Sequence, residues 1–565
     1  MKRFLAALCT AALLVTAAPA HSDQLAEIVM LEDPTTGGWI GIDFIETEYF
    51  GTSLLEAGNQ KSENDYDDWK TVLCDSVADP KCQLPDYHFN ATAIFSPCTE
   101  TITTNCVESV NATLADGTQV IGKVKRLWNP QGEYKGDPLL GIPDGGQAST
   151  WTLTGTNTDI TDEYVLIAGV RGGIPIPQVG TQISEWDKFQ GRLFAYFQPV
   201  KEIAGNYQDP KMVLIPRGTG GIGTGGGIDY LAGCMINDTK ACAQRRTFPL
   251  NVTYSLSMRF ERPISPWLNG RVVDPSITIV EKANGASTMT ISAKPMRVPE
   301  VGGYIKWSET PEWMKAKYPS GTGGTTRSMD GFTTKNLDTR ILKVGAGSAG
   351  TRAIKEFQDW IPFLQDKPFA MKTYWNVKAI TDEPSQKMRD CAQNKFAGIV
   401  SSNAAVFSSG APSWNIERET LDYTVGAPHY DTEGKLLTGQ YVLSMRSDVA
   451  RCIYGFNAAP ISARVEIASE DGSPNLVTTV INENPKTGML TLNASGFHYS
   501  TPQLSVKLLQ EKKVAPTPTP SASPSASPTA TPKAMTIKKI TCVNGKVKKT
   551  IKGTNPRCPS GFKKS

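Results

Sequence analysis

After its first twenty residues the chain lacks any apolar run long enough to cross a membrane as a helix. Such a helix needs about 18 consecutive apolar residues, and no later window provides them. The chain also holds only four histidines and no pair of cysteines spaced C-x2-C. Clustered cysteine and histidine side chains are the usual zinc ligands, so these shortages argue against a zinc site. We expect no transmembrane segment in the mature chain and no cofactor.

The first twenty residues, MKRFLAALCTAALLVTAAPA, have the composition of a secretory signal peptide. Lys2 and Arg3 precede an apolar run, and the small residues before His21 suit a signal peptidase. Cys9 lies inside the apolar run and is not a credible lipidation site. The segment predicts cleavage after Ala20 and export, so we expect the protein to be extracellular or displayed on the cell surface.

Acidic residues are missing from the C-terminal end. Between Lys533 and Ser565 the chain has ten lysine or arginine residues and no aspartate or glutamate. The whole chain carries +3, and the signal segment adds two positive charges, so the part between carries −9. An acidic body argues against a nucleic-acid-binding domain, which needs a basic face. The basic tail suits an anionic polymer of the cell envelope, and a merely soluble basic end is the alternative. The tail residues expected to bind the polymer are Lys538, Lys539, Lys546, Lys548, Lys549, Lys552, Arg557, Lys563 and Lys564.

The tract Ala515–Lys533, APTPTPSASPSASPTATPK, separates the body from the tail. Its frequent prolines and its lack of apolar side chains predict a disordered, extended stalk. The predicted organisation is a signal peptide at 1–20, a large β-rich domain of one or two units at 21–300, a mixed α/β segment with short helices at 301–390, a small β-sandwich at 391–510, a Pro/Ser/Thr-rich linker at 511–533 and a basic two-cysteine module at 534–565.

Apart from Cys9 the chain has ten cysteines, an even number that suits disulfides in an exported protein. Three pairs share a C-x7-C spacing around polar loops, and four cysteines remain as a distant pair and a pair in the tail. The second C-x7-C loop lies between two strand-like runs and is expected to close a hairpin. The simplest pairing is Cys74–Cys82, Cys98–Cys106, Cys234–Cys242, Cys391–Cys452 and Cys542–Cys558.

Short alternating runs between glycine- and proline-containing turns predict a mainly β fold. Two windows have helical character: one from Thr310 to Lys317, and one that begins near Thr351 and should kink or end at Pro362. The expected fold class is a mainly β, multi-domain, β-sandwich-like body with a small helical segment, a disordered stalk and a short basic module. The alternation is clearest in one strand candidate, whose inner face would carry Val252, Tyr254, Leu256 and Met258.

Two glycine-rich stretches match the pattern G-x-G-x-x-G. Gly218–Gly223 has no helix candidate after it and is interpreted as a mobile loop. Gly345–Gly350 lies between a strand and a helix candidate, but no βαβ repeat follows, so a lead into a helix is preferred to a dinucleotide site. The same stretch places Ser348 close to a G-x-S-x-G elbow, with Asp431 and His498 in a permissible order for a hydrolase triad.

An acidic cluster lies beside Tyr66 and Trp69. Paired carboxylates near aromatic rings can hydrolyse glycosides, and the same oxygens can bind calcium. The spacing does not match an EF-hand, so a solvated acidic loop is the first interpretation, calcium the second and catalysis the third. The cluster consists of Glu63, Asp65, Asp67 and Asp68.

The tail sequence ITCVNGKVKKTIKGTNPRCPSGFKKS resembles a C-terminal module that follows Pro/Ser/Thr stalks in exported surface proteins of high-GC Gram-positive bacteria. The run YVLSMRSDVARCIYGF is similar to segments of the same loose group. The resemblance covers at most the last quarter of the chain. It implies export and a surface location, and it implies no activity and no catalytic residue.

These observations favour a secreted or surface-displayed structural or interaction protein that is attached to the envelope through its basic tail. An enzyme is the less favoured class. The alternative function is an extracellular hydrolase, directed at glycans or resembling an esterase, with its site near the acidic cluster or near Ser348. The ligand of the body and the oligomeric state are not indicated by the sequence.

Overall fold

The computed structural model describes residues 31–32, 34–46, 52–58, 71–83, 88–128, 133–157, 161–175, 188–205, 214–217, 221–224, 233–264, 266–282, 285–318, 330–333, 340–345, 350–380, 382, 384–457, 461–468, 478–499, 503–510, 538–544, 547–553, 557–558 and 561–564. The predicted signal peptide and the predicted stalk lie outside these residues. The chain clusters into two compact units, Met1–Glu511 and Lys512–Ser565. They are called the body and the tail module below.

Strands account for most of the regular structure in the described part of the body. They are β1 Trp39–Ile45, β2 Leu54–Gly58, β3 Thr71–Leu73, β4 His88–Ile94, β5 Cys106–Thr113, β6 Gln119–Ile121, β7 Lys123–Leu127, β8 Ser149–Thr152, β9 Glu163–Pro175, β10 Arg192–Ala204, β11 Leu214–Arg217, β12 Gly221–Thr224, β13 Cys234–Asn237, β14 Ala241–Arg245, β15 Thr253–Phe260, β16 Trp267–Glu281, β17 Ser287–Lys306, β18 Asp330–Thr333, β19 Arg340–Gly345, β20 Ala370–Ala379, β21 Gly398–Ser402, β22 Val406–Phe407, β23 Ser413–Asn415, β24 Thr420–Gly426, β25 Thr438–Arg446, β26 Ile461–Ala468, β27 Thr478–Asn484, β28 Met489–His498 and β29 Gln503–Gln510.

The described helices are few and short. They are α1 Glu312–Lys317, α2 Gly350–Trp360, α3 Gln386–Ala392 and α4 Ser447–Tyr454, with single 3-10 turns at Pro80–Cys82, Trp307–Glu309 and Ile361–Phe363. None of these helices is long and apolar enough to span a membrane. The mainly β fold class is confirmed.

One hydrogen-bonded path runs through the body. In spatial order it is β3–β2–β4–β9–β10–β20–β16–β21–β25–β28–β27, and each neighbouring pair is antiparallel except β16 with β21. The long strand β17 joins this path at β16 and β20 and also pairs with β1 and β15. Hydrogen bonding therefore crosses the predicted borders near residues 300 and 390.

The C-terminal part of the body is a sandwich of two sheets. One sheet continues the central path through β21, β25, β28 and β27, and the other has the order β22–β24–β29–β26. All five strands expected there are present, but they are divided between the two sheets. Tyr423 and Leu504 of one sheet belong to the same buried cluster as Tyr441 and Leu492 of the other. This cluster also takes in the inner faces of α2 and α4.

Local sequence signals are reproduced closely. In β15 every second residue is buried, as the alternation from Val252 to Met258 predicts. Helix α1 follows Pro311 and ends at Lys317. Helix α2 ends at Trp360, and Pro362 lies in the 3-10 turn that follows, because proline lacks the amide hydrogen that would continue the α-helix.

All five predicted disulfides are present. The long-range bridge joins α3 to α4 through Cys391 and Cys452. The hairpin expected around Cys98–Cys106 is wrong. The two flanking strands do not pair with each other, since β4 pairs with β2 and β9 while β5 pairs with β15 and β6.

The interpretation of the first glycine-rich stretch as a mobile loop is wrong for residues 221–223. They belong to β12, which pairs with β11 in a two-stranded hairpin, and residues 218–220 lie outside the described part. A loop was expected because no helix candidate follows, but a two-stranded hairpin needs neither a following helix nor side chains buried on a sheet face. In the second stretch, β19 ends at Gly345 and α2 begins at Gly350.

The two kinds of disulfide should differ in their effect on stability. Replacing Cys391 and Cys452 by serine opens a loop with a separation of 61 residues, whereas the Cys74–Cys82 loop has a separation of 8. Loop-closure entropy predicts losses of about 4 and about 2.5 kcal/mol in the free energy of unfolding. Urea unfolding of the two double-serine variants measures this, and an equal or reversed order would contradict the entropic account.

Candidate functional site

The tail module is a three-stranded sheet. Its strand register shows which face of the sheet each lysine position belongs to. Its strands are β30 Lys538–Asn544, β31 Val547–Gly553 and β32 Lys563–Lys564, with β30 in the centre. Because directly opposed residues of antiparallel strands share a face, the register assigns each position to one side of the sheet.

One face of this sheet is basic. Val543 in the central strand has Lys548 opposite it on one side and Lys563 on the other, and both lysines are exposed. Two positions back along β30, Thr541 pairs with Thr550. Two positions further, the exposed Lys539 is paired in register with Lys552. We call the face of Lys539, Lys548, Lys552 and Lys563 the basic face.

The opposite face supplies the small core of the module. Cys542 is fully buried there and forms the disulfide with Cys558. Lys549, which pairs with Cys542, is exposed, and its Nζ lies 5.2 Å from the centre of the Phe562 ring. One face of the sheet is therefore basic, and the other contains the buried disulfide. Lys549 on this second face already has a cation–π partner in Phe562.

The predicted tail residues thus fall into groups. Lys539, Lys548 and Lys563 are exposed on the basic face, while Lys549, Lys564 and Arg557 are exposed elsewhere. Lys538 and Lys552 have defined strand positions, and Lys546 lies outside the described residues. The sequence carried the signal for the basic face in the period-2 repeat of Lys546, Lys548, Thr550 and Lys552.

A cluster of charged and amide side chains, missed by the sequence analysis, lies in the core of the body. Arg271 of β16 is 1% exposed, and its Nε and Nη2 donate to Glu46 Oε2 at 3.0 and 2.9 Å. Its Nη1 donates to the carbonyl oxygens of Ser402 and Ala404 at 2.5 and 2.6 Å. The guanidinium also lies 4.4 Å from the centre of the Phe407 ring.

Two further strands complete this cluster, which we call the buried polar centre. Asn269 is directly opposite Lys378, and Arg271 is directly opposite Asn376, so all four lie on one face. Lys378 Nζ is 3.6 Å from Glu46 Oε1. Burial, reinforced by the charge of Arg271, lowers the pKa of Lys378. Burial would raise the pKa of Glu46, but Arg271 and Lys378 outweigh it and hold this pKa below its usual value.

Glu56 is a second titratable group that the sequence analysis did not single out. It lies in β2, opposite Asn90 of β4, on the face turned away from the core residues Leu55 and Ala57. Burial raises the pKa of Glu56 to about 7, against the opposing influence of Arg171. Perturbed carboxyl groups of this kind are enriched at functional sites and also occur for structural reasons.

Glu56 should make stability fall as the pH rises. The folded protein keeps a proton that the unfolded chain releases between pH 4.5 and about 7, so stability is lost across this window. The Glu56→Gln variant should match wild type at about pH 4 and exceed it in the free energy of unfolding by about 3 kcal/mol at about pH 8. Urea unfolding at both pH values measures this, with the exposed Glu417→Gln as control, and a pH-independent difference would contradict it.

The residues proposed for a hydrolase triad are placed as follows. Ser348 lies outside the described residues. Asp431 Oδ1 accepts hydrogen bonds from the amides of Glu433 and Lys435, which closes a turn, and His498 lies at the end of β28, opposite Thr438. A histidine with a carboxylate partner is His429, whose Nδ1 is 2.6 Å from Asp366 Oδ2.

The acidic cluster of Glu63, Asp65, Asp67 and Asp68, with its calcium hypothesis, lies outside the described residues. Within the part of the chain that the structure describes, no group of three metal-binding side chains comes together. Comparisons with protein-family models, with curated proteins and with solved structures find no match to this chain. Its function must therefore be argued from its own residues.

Proposed function

We propose that the protein is exported and is attached to the cell envelope by the tail module, whose basic face binds an anionic polymer, while the body serves as a structural or interaction module. The observation that carries this proposal is the shared face of Lys548 and Lys563, which flank Val543 from the two outer strands, with Lys539 further along the central strand. Lys539 is directly opposite Lys552, and like charges directly opposed in adjacent strands cost stability, so the arrangement needs a reason other than folding.

The charge balance of the tail supports the same conclusion. From Lys533 onward no aspartate or glutamate is available to neutralise the lysines. Clustered ammonium groups raise the local positive potential and attract anions, and lysine acts as a point charge that tolerates irregular spacing of the anionic groups. The Cys542–Cys558 bridge, with a separation of 16 residues, contributes about 3 kcal/mol, which offsets repulsion between the lysines.

The cysteines support the proposed location. All five disulfides form, and such bonds persist in oxidising compartments outside the cytosol. The signal-like N-terminus and the resemblance of the tail to modules of exported Gram-positive proteins agree with this location. Extracellular display is therefore part of the proposal.

An extracellular hydrolase is the second candidate, and Glu56 is the observation that favours it. A carboxyl group that keeps its proton near neutral pH is what a general acid requires. The wild-type protein would then release soluble fragments from purified envelope glycan, and Glu56→Gln would stop the release. Absence of any release by the wild type would remove this candidate.

The basic face should bind the envelope more strongly than the other face of the same sheet. In the full chain we compare Lys548→Gln/Lys563→Gln with Lys549→Gln/Lys564→Gln, which removes the same charge from neighbouring positions. Each lysine near an anionic surface contributes about 1 kcal/mol, so the first variant should bind envelopes of the source cells about thirtyfold more weakly. Co-sedimentation over a salt titration measures the affinity.

Salt should release the wild type, because exposed charges are screened over about 10 Å at 0.1 M. Equal losses in both double variants would show that net charge, and not the basic face, determines binding. A truncation that ends at Val514 keeps the whole body unit and removes the tail module. If this truncated protein sediments as well as the full chain, the body recognises the envelope and the anchoring role is wrong.

A further inference from the structure

The buried polar centre brings together an amine, a carboxamide and a carboxylate in the core of the body. Lys378 and Asn269 are directly opposed on the antiparallel strands β20 and β16, and they are 4% and 2% exposed. Glu46, at the end of β1, places its Oε1 3.6 Å from Lys378 Nζ. Residues directly opposed in this way have their Cβ atoms about 5 Å apart, within easy reach of a lysine side chain.

Several of these polar atoms have no hydrogen-bond partner among the described residues. They are Lys378 Nζ, Asn269 Oδ1, Glu46 Oε1 and Asn376 Nδ2. A buried polar atom without a partner costs about 1–3 kcal/mol, and native proteins keep few of them. Here Asn269, Asn376 and Lys378 share one face of the paired strands β16 and β20, and Glu46 Oε1 lies 3.6 Å from Lys378 Nζ. The centre therefore leaves several polar atoms without hydrogen bonds as long as its side chains stay separate.

The charges are unbalanced as well. Arg271 and Lys378 are two cations against the single carboxylate of Glu46, and all three are buried. Uncompensated charge in a protein core is strongly unfavourable. Arg271 already satisfies Glu46 Oε2 with two hydrogen bonds, so the excess charge is that of Lys378. A reaction that removed this charge would leave a balanced Arg271–Glu46 pair.

We propose that Lys378 and Asn269 join their side chains in an amide bond after folding, with Glu46 as the group that moves the proton. The amine nitrogen of Lys378 attacks Cγ of Asn269, a new carbon–nitrogen bond forms, and the bond from Cγ to the amide nitrogen breaks. Glu46 accepts a proton from the lysine nitrogen and passes it to the departing nitrogen. The products are one secondary amide and ammonia, and no oxidant or co-reactant is required.

The surroundings suit each part of this reaction. The lowered pKa of Lys378 favours the uncharged amine, which is the nucleophile. Arg271 fixes Glu46 through Oε2 and leaves Oε1 facing the lysine. Asn269 Oδ1 accepts no hydrogen bond from the described residues, so that oxygen does not fix the orientation of the carboxamide. Asn376 is the less suitable acceptor, because its Oδ1 accepts the amide hydrogen of Arg271 at 3.2 Å.

The test is a peptide map of the purified full-length protein after reduction and alkylation of its disulfides. Trypsin cannot cleave after a lysine whose amine is acylated, so Phe260–Arg271 and Thr373–Lys387 should appear as one joined species. Its mass should lie about 17 Da below the sum of the two peptides, which is the mass of ammonia. Deamidation at the Asn269–Gly270 step would instead add about 1 Da. Recovery of Phe260–Arg271 and Thr373–Lys378 as separate, unmodified peptides would overturn the proposal.

Variants separate the roles. Lys378→Met, Asn269→Ala and Glu46→Gln should each abolish the joined species, and Asn376→Ala, as the matched control, should retain it. Asn269→Asp should still give joined peptides of the same mass as wild type, because water then leaves in place of ammonia. This variant and the wild-type map decide the matter even where removal of a buried charge prevents folding. A bond from Lys378 to Asn376 would overturn the assigned pairing.

Discussion

A single buried guanidinium ties together stretches of the body that are far apart in sequence. Arg271 is held at one side by Glu46, which follows β1, and at the other by the carbonyl groups of Ser402, the last residue of β21, and Ala404 just beyond it. Its backbone amide is bonded to Asn376 of β20. Removing one partner of such a buried charge costs about 3–5 kcal/mol, so the ends of β1 and β21 must stay where Arg271 needs them. Arg271 therefore connects β1, β16, β20 and β21 at one point of the core.

The charges of the tail module are arranged differently from those in the core of the body. In the body, the cations of the buried polar centre lie around a carboxylate, and the arrangement is a matter of folding. In the tail module, Lys548 and Lys563 lie on one face at either side of Val543, and the tail sequence has no acidic residue. Repulsion among the lysines of the basic face weakens a sheet of only three strands, which is stapled by a disulfide at its buried face. Charge that a fold does not need is available for a partner outside the protein.

The sequence predicted well whatever depends on neighbours along the chain. The alternation around Tyr254, the proline at the start of α1 and the C-x7-C spacing each have a local cause, and each appears as expected. The period-2 lysines of β31 are of the same kind, although the face that they share needs the register with Val543 and Lys563 to be complete.

What the sequence could not predict depends on strand pairing between distant segments. The runs on either side of Cys98–Cys106 are separated by a short loop, yet β4 pairs with β9 and β5 with β15. Glu46, Asn269, Arg271 and Lys378 are spread over hundreds of residues and carry no motif, so nothing in their spacing distinguishes them from surface residues. Only the register of β16 against β20 places Asn269, Arg271 and Lys378 on one face, where Glu46 meets them from the end of β1.

The body disulfides leave the two strands of the buried polar centre without a covalent link between them. Three of the body's bridges close local loops, and the fourth joins α3 to α4, so none of them joins β16 to β20. These two strands lie at the middle of the central path, and β17 pairs with both. A covalent bond between Asn269 and Lys378 would therefore act where the disulfides do not. Unlike a disulfide, an amide is not opened by thiol exchange. It would hold β16 and β20 together whatever the redox state outside the cell.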